Sequence, residues 1–311
     1  MDSVRVVSKR PFFLGILFLC LLLLATMPLY AQPYLVILLT SIIMYTIITV
    51  SWAIFSGPTR YISLASAAFF GVGVYVSAIL GQVLPLPVVI AIGGLVSFIL
   101  ALFIGLLTLR LRGMYFIIFT FGISELIRHS LLWWESNFTG TVGRWVIVVD
   151  HTTVYYVMLV IFVMVLLTAY LIRRSKYGLA LRSIGEYEEA ATHIGINATV
   201  IKTTVFAISA FFMGSAGAIM ATRWTYIDPR IAFDPLFSFM PVLMAIFGGT
   251  GQLYGPIFGA ALFAYLEEIL ITKFPYYYML IFGTILIIVI LFLPSGLVGL
   301  IGKWRKGGPE V

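Results

Sequence analysis

Glu125, Arg128 and His129 stand at i, i+3 and i+4 inside a long apolar run, so a helix puts all three on one face. Lone charges in hydrocarbon are costly and turn toward a partner or a wet cavity. The trio therefore reads in two ways. It is a polar stretch of a solute pathway that meets a zwitterion, or a self-neutralised pair at the outer end of a helix. Glu267 and Glu268, with Lys273 nearby, carry a similar pair of readings, with an outer-edge position expected. Asp150 beside His151 is a pairing used in acid–base catalysis, but no elbow motif places a nucleophile. His129, His151 and His193 lack cysteines or clustered carboxylates at ligand spacing, so no metal site is expected. The single cysteine, Cys20, sits in a leucine run as a small apolar filler and excludes an internal disulfide. There is no G-x-x-x-x-G-K-[ST] phosphate loop, no arginine-rich voltage sensor and no T-V-G-Y-G filter. The expectation is a chain with no catalytic residues of its own. Any ATP that drives it must be bound by another subunit.

The elements that position these residues follow from composition. Of 311 residues, 62% are hydrophobic and 10% charged, with a mean hydropathy of +1.11. An average soluble domain is about 25% charged. The apolar residues leave room for roughly eight to ten spans of about 20 residues each. Such a chain is not a soluble enzyme, a disordered segment or a nucleic-acid binder. Between Phe12 and Leu109 the only formal charge is Arg60. The apolar runs predict spans at 12–30, 33–55, 61–80, 86–109, 113–132, 151–172, 203–222, 235–248, 255–272 and 276–293. They must be helices, because backbone groups in hydrocarbon have to be satisfied within the segment. A transmembrane barrel would need alternating strands, and these runs do not alternate. The segment 61–80 is rich in Ser, Ala and Gly and reads as a broken or re-entrant helix. The segment 235–248 is short and followed by Gly248, Gly249, Gly251 and Gly255, as for a half-helix. The expected fold is all-α: one polytopic transmembrane domain over 1–311, with about ten helices, some short or broken.

Charge sets the orientation. With a cytoplasmic N-terminus and ten spans, fourteen of the nineteen Lys and Arg fall on the inner side. An even number of spans returns the C-terminus to the cytoplasm. Trp133, Trp134, Trp224, Tyr226 and the run Tyr276 to Tyr278 then fall at the outer interface. A cleaved signal peptide is the competing reading of the N-terminus, because Arg5, Lys9 and Arg10 precede an apolar stretch; it would leave nine spans. Gly251, Gly255 and Gly259 lie four apart, as do Gly214, Ala218 and Thr222, with Gly217 between them. Small residues at that period let helix backbones approach closely, either for static packing or for sliding.

The largest polar island is 173–202, on the inner side. Glu186 to Ile194 reads as a short helix, with Gly195 and Asn197 as stop signals. Linking two helices takes far fewer residues, so the island is either a docking element or a solvated loop that retains positive charge inside. Glu189-Ala190-Ala191, three residues, then Gly195 resembles the E-A-A-x-x-x-G signature of bacterial ABC importer permeases. The stretch from Ser175-Lys176-Tyr177-Gly178 through Leu181-Arg182-Ser183-Ile184 to Gly195-Ile196-Asn197 resembles the branched-chain amino acid permeases of the LivM type. So do Tyr61-Ile62-Ser63-Leu64 with Ala67-Ala68-Phe69-Phe70-Gly71, and Leu109-Arg110-Leu111-Arg112-Gly113-Met114-Tyr115-Phe116. Ser209-Ala210-Phe211-Phe212 with Gly214, and Gly248-Gly249 with Gly255-Pro256 and Gly259, complete the series in the family's order over about 35–300. The chain departs from the family at Ala65-Ser66-Ala67, where a Gly and often a His are usual, and at Arg60, where a glycine is common.

The resemblance implies an alternating-access permease subunit of an ATP-driven importer for branched-chain or related hydrophobic amino acids. It implies a homologous second permease, two ABC ATPase subunits carrying ATP and Mg, and a periplasmic or lipid-anchored substrate-binding protein. It places the chain in a bacterial or archaeal inner membrane, with lipid as its other partner. The island 173–202 becomes a cytoplasmic coupling loop, with Arg182, Glu186, Glu189, Ala190, Ala191 and Gly195 as ATPase-coupling residues. Ser63, Ser66, Phe69, Phe70, Glu125 and Arg128 become candidates for the substrate pathway. The outer segments 133–150 and 223–235 become a docking surface for the binding protein, or else ordinary loops with an aromatic belt. A permease for urea or short amides shares most of these blocks. An ion-coupled secondary carrier is the further alternative, and the E-A-A-x-x-x-G segment argues against it.

Overall fold

The computed structural model describes residues 21–109, 111 and 113–292. Helix α1 is Leu21–Tyr30. Helix α2 (Pro33–Thr59) starts with a proline in its first turn, where the missing N–H costs nothing, and carries Pro58 in its last turn. Its end is fixed by Arg60, which takes the left-handed conformation at φ 60° and donates its N–H to the Ser56 carbonyl at 3.0 Å. Residues 61–65 have no regular structure, and α3 (Ser66–Leu80) begins only after them. Then come α4 (Leu86–Thr108), α5 (Met114–Trp134) prolonged by a π-turn at Glu135–Thr139, and α6 (His151–Arg174). The polar island holds α7 (Lys176–Glu186) and α8 (Glu188–His193). After it lie α9 (Ala198–Ala221), α10 (Pro229–Ala232), α11 (Leu236–Gly248), α12 (Tyr254–Lys273) and α13 (Tyr278–Phe292).

Among the described residues, seven helical stretches are long and apolar enough to cross a membrane, while α1 and α3 are shorter apolar helices. The sequence places about ten spans; length singles out seven. The segment 61–80 falls short because its first five residues are irregular, so its helix is 15 residues long. The expected start of 203 for the span after the island also shifts. Asn197 caps α9 by accepting the Val200 N–H at 3.2 Å, so the helix begins at Ala198. The first expected span is described only from residue 21, so residues 12–20 and the signal-peptide reading lie outside the described residues.

α9 is the central helix. In its most apolar window 83% of residues are buried, against 17% for α5 at the periphery. α9 packs on α3 and α4 through small residues. A methyl group on Gly73 would fall on the Gly214 carbonyl, one on Gly93 would meet the Ala218 side chain, and one on Gly217 would fall on the Phe70 carbonyl. Where no side chain intervenes, backbones approach and dispersion contacts accumulate. A second seam joins α11 to α12: Gly248 faces the Gly255 carbonyl and Gly259 faces the Met244 carbonyl. On the far side from the island, β1 (Arg144–Trp145) pairs antiparallel with β2 (Tyr226–Ile227), with Arg144 opposite Ile227 and Trp145 opposite Tyr226.

Candidate functional site

The island is built as two helices, not the single one over Glu186 to Ile194 that the sequence suggests. Glu186 ends α7, and Tyr187 is extended at φ −156° and ψ 100°. That one extended residue turns the chain so that Glu188 opens α8 facing inward. Glu188 Oε1 lies 2.6 Å from the Lys202 ammonium, and its Oε2 accepts the Tyr61 hydroxyl at 2.6 Å. Lys202 is 1% exposed in the first turns of α9. It also donates to the Leu109 carbonyl at the end of α4 at 3.0 Å and sits 4.6 Å from the centroid of the Tyr61 ring. A buried charge needs its partner and further hydrogen bonds. Lys202 finds them on three segments at once.

α7 is fixed separately. Arg60 Nη2 meets Glu186 Oε1 at 2.6 Å, with both side chains largely exposed. Gly185 has no room for a side chain beside the carbonyl of Pro58. The end of α2 and the start of the irregular strip are thus tied to both helices of the island.

The E-A-A-x-x-x-G residues fall on one short unit. Glu189, Ala190 and Ala191 lie on α8, and Gly195 follows it at φ 89°, a conformation that disfavours a β-carbon. Ala191 is buried against Ile184 and Ala198, while Ala190 is exposed. Tyr187 is 63% exposed and Ile194 is 75% exposed. The outer face of α8 is therefore apolar at both ends and acidic at Glu189. Arg182 lies on the exposed face of α7, four residues before Glu186.

The candidate pathway residues divide. Ser63, Ser66, Phe69 and Phe70 are all buried in the packed core, with Phe69 against Phe206 at 5.3 Å and Phe70 against Phe237 at 4.5 Å between ring centroids. The Ser66 hydroxyl has no hydrogen-bond partner among the described residues. The strip before it is held by side chains. Trp52 Nε1 donates to the Ser63 carbonyl at 2.8 Å, and Ser238 donates to the Leu64 carbonyl at 2.7 Å. The Leu64 N–H donates to Thr120 at 3.0 Å, and Ser124 donates to the Leu64 carbonyl at 3.3 Å. Non-helical backbone at membrane depth survives only when such partners satisfy it. Glu125 and Arg128 meet at 2.5 Å, with His129 at 3.7 Å from the same carboxylate, on the peripheral helix α5. The structure does not bring this trio to the strip.

Of the glycines marked for helix packing, Gly214, Gly217, Gly255 and Gly259 lie at close backbone contacts. Gly251 lies in the turn between α11 and α12, with nothing within 4 Å of where its Cβ would be. Its spacing does not extend the helix seam, because α12 starts only at Tyr254. Glu267 and Glu268 accept from Tyr45 at 3.5 Å and Tyr34 at 3.1 Å, which ties α12 to α2.

Two residues carry more than their sequence context suggests. Lys202 reads in sequence as one more inner-side cation; the signal was a lysine one turn inside an apolar helix. Glu135 is 2% exposed, accepts the Gly143 N–H at 2.8 Å, and lies 3.4 Å from both the Arg144 Nε and the Tyr75 hydroxyl. It locks the segment 133–150 to α3, and the paired strands β1 and β2 join that segment to 223–235. Among the described residues no group of His, Cys, Asp and Glu is arranged to hold a metal ion.

A family model described as a branched-chain amino acid transport system permease component matches residues 34–290. The chain is 27% identical over 297 residues to the high-affinity branched-chain amino acid transport system permease protein LivM of Salmonella typhimurium, covering 83% of this chain and 68% of that protein. The LivM of Escherichia coli is 26% identical over 292 residues with the same coverage. The permease protein BraD of Pseudomonas aeruginosa is 28% identical over 184 residues, 57% of this chain and 55% of that protein. No solved structure matches the chain.

Proposed function

The chain belongs to the family of branched-chain amino acid transport system permease components, and from that premise we propose that it is one membrane subunit of an ATP-driven importer for branched-chain or related hydrophobic amino acids. In this reading the whole chain, 1–311, is one permease domain of about ten spans in a bacterial or archaeal inner membrane, with both termini cytoplasmic. It pairs with a homologous permease. Two ATPase subunits bind ATP and Mg, and a periplasmic or lipid-anchored binding protein delivers the amino acid.

Coupling runs through 173–202. The outer face of α8, with Tyr187, Glu189, Ala190 and Ile194, seats against an ATPase, and Arg182 and Glu186 flank it on α7. Gly195 permits the tight turn that returns the chain to α9. The observation that supports this reading best is Glu188: it sits on α8 yet bonds inward to Lys202 and Tyr61, so a push on α8 reaches α9, the end of α4 and the irregular strip together. The strip and the start of α3, including Ser63, Ser66, Phe69 and Phe70, rearrange as the subunits alternate between outward and inward access. The buried, unpartnered Ser66 hydroxyl becomes a contact for solute only in such another state. Glu125 and Arg128 contribute to the pathway only where the second permease covers α5.

The test is a pull-down of the tagged chain from native membranes in mild detergent, with mass spectrometry of what accompanies it. Two nucleotide-binding subunits and a second permease are expected. The chain alone under several detergents overturns the proposal and leaves 173–202 an ordinary connection.

A further inference from the structure

A cleft of about 350 Å³ opens between the last turn of α2, the last turn of α6, helix α7 and the turn before α12. Its floor is apolar, with Val50, Ala53 and Ile54 from α2 and Leu253 beside α12. Its charged lining is Arg60, Arg173, Arg182 and Glu186. Arg60 and Glu186 neutralise each other at 2.6 Å. Arg173 donates to the Thr250 carbonyl at 3.1 Å, and neither it nor Arg182 has a carboxylate within ion-pair distance among the described residues. Arg173 and Arg182 therefore face one partly enclosed space whose single carboxylate, Glu186, is already paired with Arg60. Guanidinium groups pair best with flat or tetrahedral oxyanions.

The depth of the cleft is marked by its surroundings. α2 and α6 are both long enough to span, and the cleft lies at their ends. Arg174, next to Arg173, stacks 5.3 Å from the centroid of the exposed Tyr170 ring and donates to its hydroxyl at 2.6 Å. Tyrosine and arginine on a lipid-facing surface mark the headgroup level. Leu179 on α7 is 65% exposed beside the cleft, as in a helix lying in the interface. A phosphate at that level, joined to an apolar tail, meets both halves of this cleft. Basic pockets between membrane helices hold anionic lipid headgroups for the same reason.

We propose that this cleft binds an anionic phospholipid, with its phosphate on Arg173 and Arg182 and its acyl chain along the apolar floor. Arg182 and Glu186 also belong to the segment assigned to ATPase coupling, so the site is tested on the purified chain free of ATPase subunits, where retained lipid reads this cleft alone. The chain is exchanged into vesicles of phosphatidylcholine doped with phosphatidylglycerol, and retained lipid is counted by native mass spectrometry. Phosphatidylglycerol should be enriched over phosphatidylcholine. Arg182→Gln, an exposed position that leaves the fold intact, should cut the enrichment about fivefold, and adding Arg173→Gln should remove the rest. Arg174→Gln, outside the cleft, should change nothing.

No enrichment, or equal enrichment in Arg182→Gln, overturns the proposal. Displacement of the lipid by millimolar inorganic phosphate assigns the cleft to a free anion and overturns the lipid assignment. Retention by the lone chain that disappears when ATPase subunits co-purify assigns the arginines to a protein carboxylate and overturns it as well.

Discussion

Lys202 and Glu188 meet at 2.6 Å although they belong to helices on opposite sides of the Gly195 turn, and the lysine is almost wholly buried. The pair closes the loop that the sequence leaves open. Replacing Lys202 with Met removes the buried ammonium that pairs with Glu188 Oε1 and should lower stability by about 3–5 kcal/mol. Lys202→Met with Glu188→Leu should recover part of that loss, because both members of the pair are then removed together. Thermal unfolding in detergent, followed by tryptophan fluorescence, measures both. Equal losses in the single and double variants would show that the pair is not coupled.

Glu189 lies on the exposed face of α8, where a charge change costs the fold little. Glu189→Lys should leave the chain folded and reduce co-purified ATPase about tenfold, through like-charge or mismatched contact. Unchanged recovery of the complex and unchanged uptake remove the role given to this residue.

Gly195 has open space around it, so its requirement is conformational: φ is 89° and nothing lies within 4 Å of a Cβ. Gly195→Val should cost about 1–3 kcal/mol locally and reduce substrate-stimulated ATP hydrolysis, while Gly195→Asn should retain most of it. Equal activity in both variants would mean that the turn is not under this constraint.

Helical glycines should separate into two groups. Gly73→Ala and Gly217→Ala drive a methyl group into a backbone carbonyl and should lower the melting temperature sharply or abolish folding. Gly122→Ala on α5 meets nothing within 4 Å and should be neutral or stabilise by up to about 1 kcal/mol. A destabilised Gly122→Ala would point to a partner covering α5.

Glu135 should behave as a structural lock. Glu135→Gln keeps the shape but removes the charge facing Arg144, and Glu135→Ala removes the acceptor for Gly143 as well. Proteolysis of 133–150 should rise modestly in the first and strongly in the second. Identical protease resistance across all three forms would count against the lock.

The helices were legible because apolar runs of about 20 residues have few other fates. The ion-pair face of Glu125, Arg128 and His129 followed from helical spacing alone, and the structure pairs them. The break after Arg60 was legible only as a surplus of Ser, Ala and Gly. Its cause, capture of backbone groups by Trp52, Thr120, Ser124 and Ser238, joins residues up to 174 positions apart, and local pattern carries no such information. The split of the island at Tyr187 was hidden for a related reason: the break follows from where Glu188 must point, and its targets lie at positions 61 and 202. Burial of the candidate pathway residues was equally invisible, since a Ser- and Phe-rich helix reads the same whether it lines a path or fills a core.

The irregular strip leaves its mark on how this sequence is free to drift. Leu64 offers one carbonyl and one N–H, and three hydroxyl-bearing residues on two other helices answer them. Loss of the Ser238 hydroxyl deprives both the Leu64 carbonyl and the Ala67 N–H, so that position tolerates little besides another small hydroxyl. The leucine side chain adds its own share by packing into the core. In descendants of this gene, the distant serines and threonine that hold the strip should therefore stay fixed or move in concert.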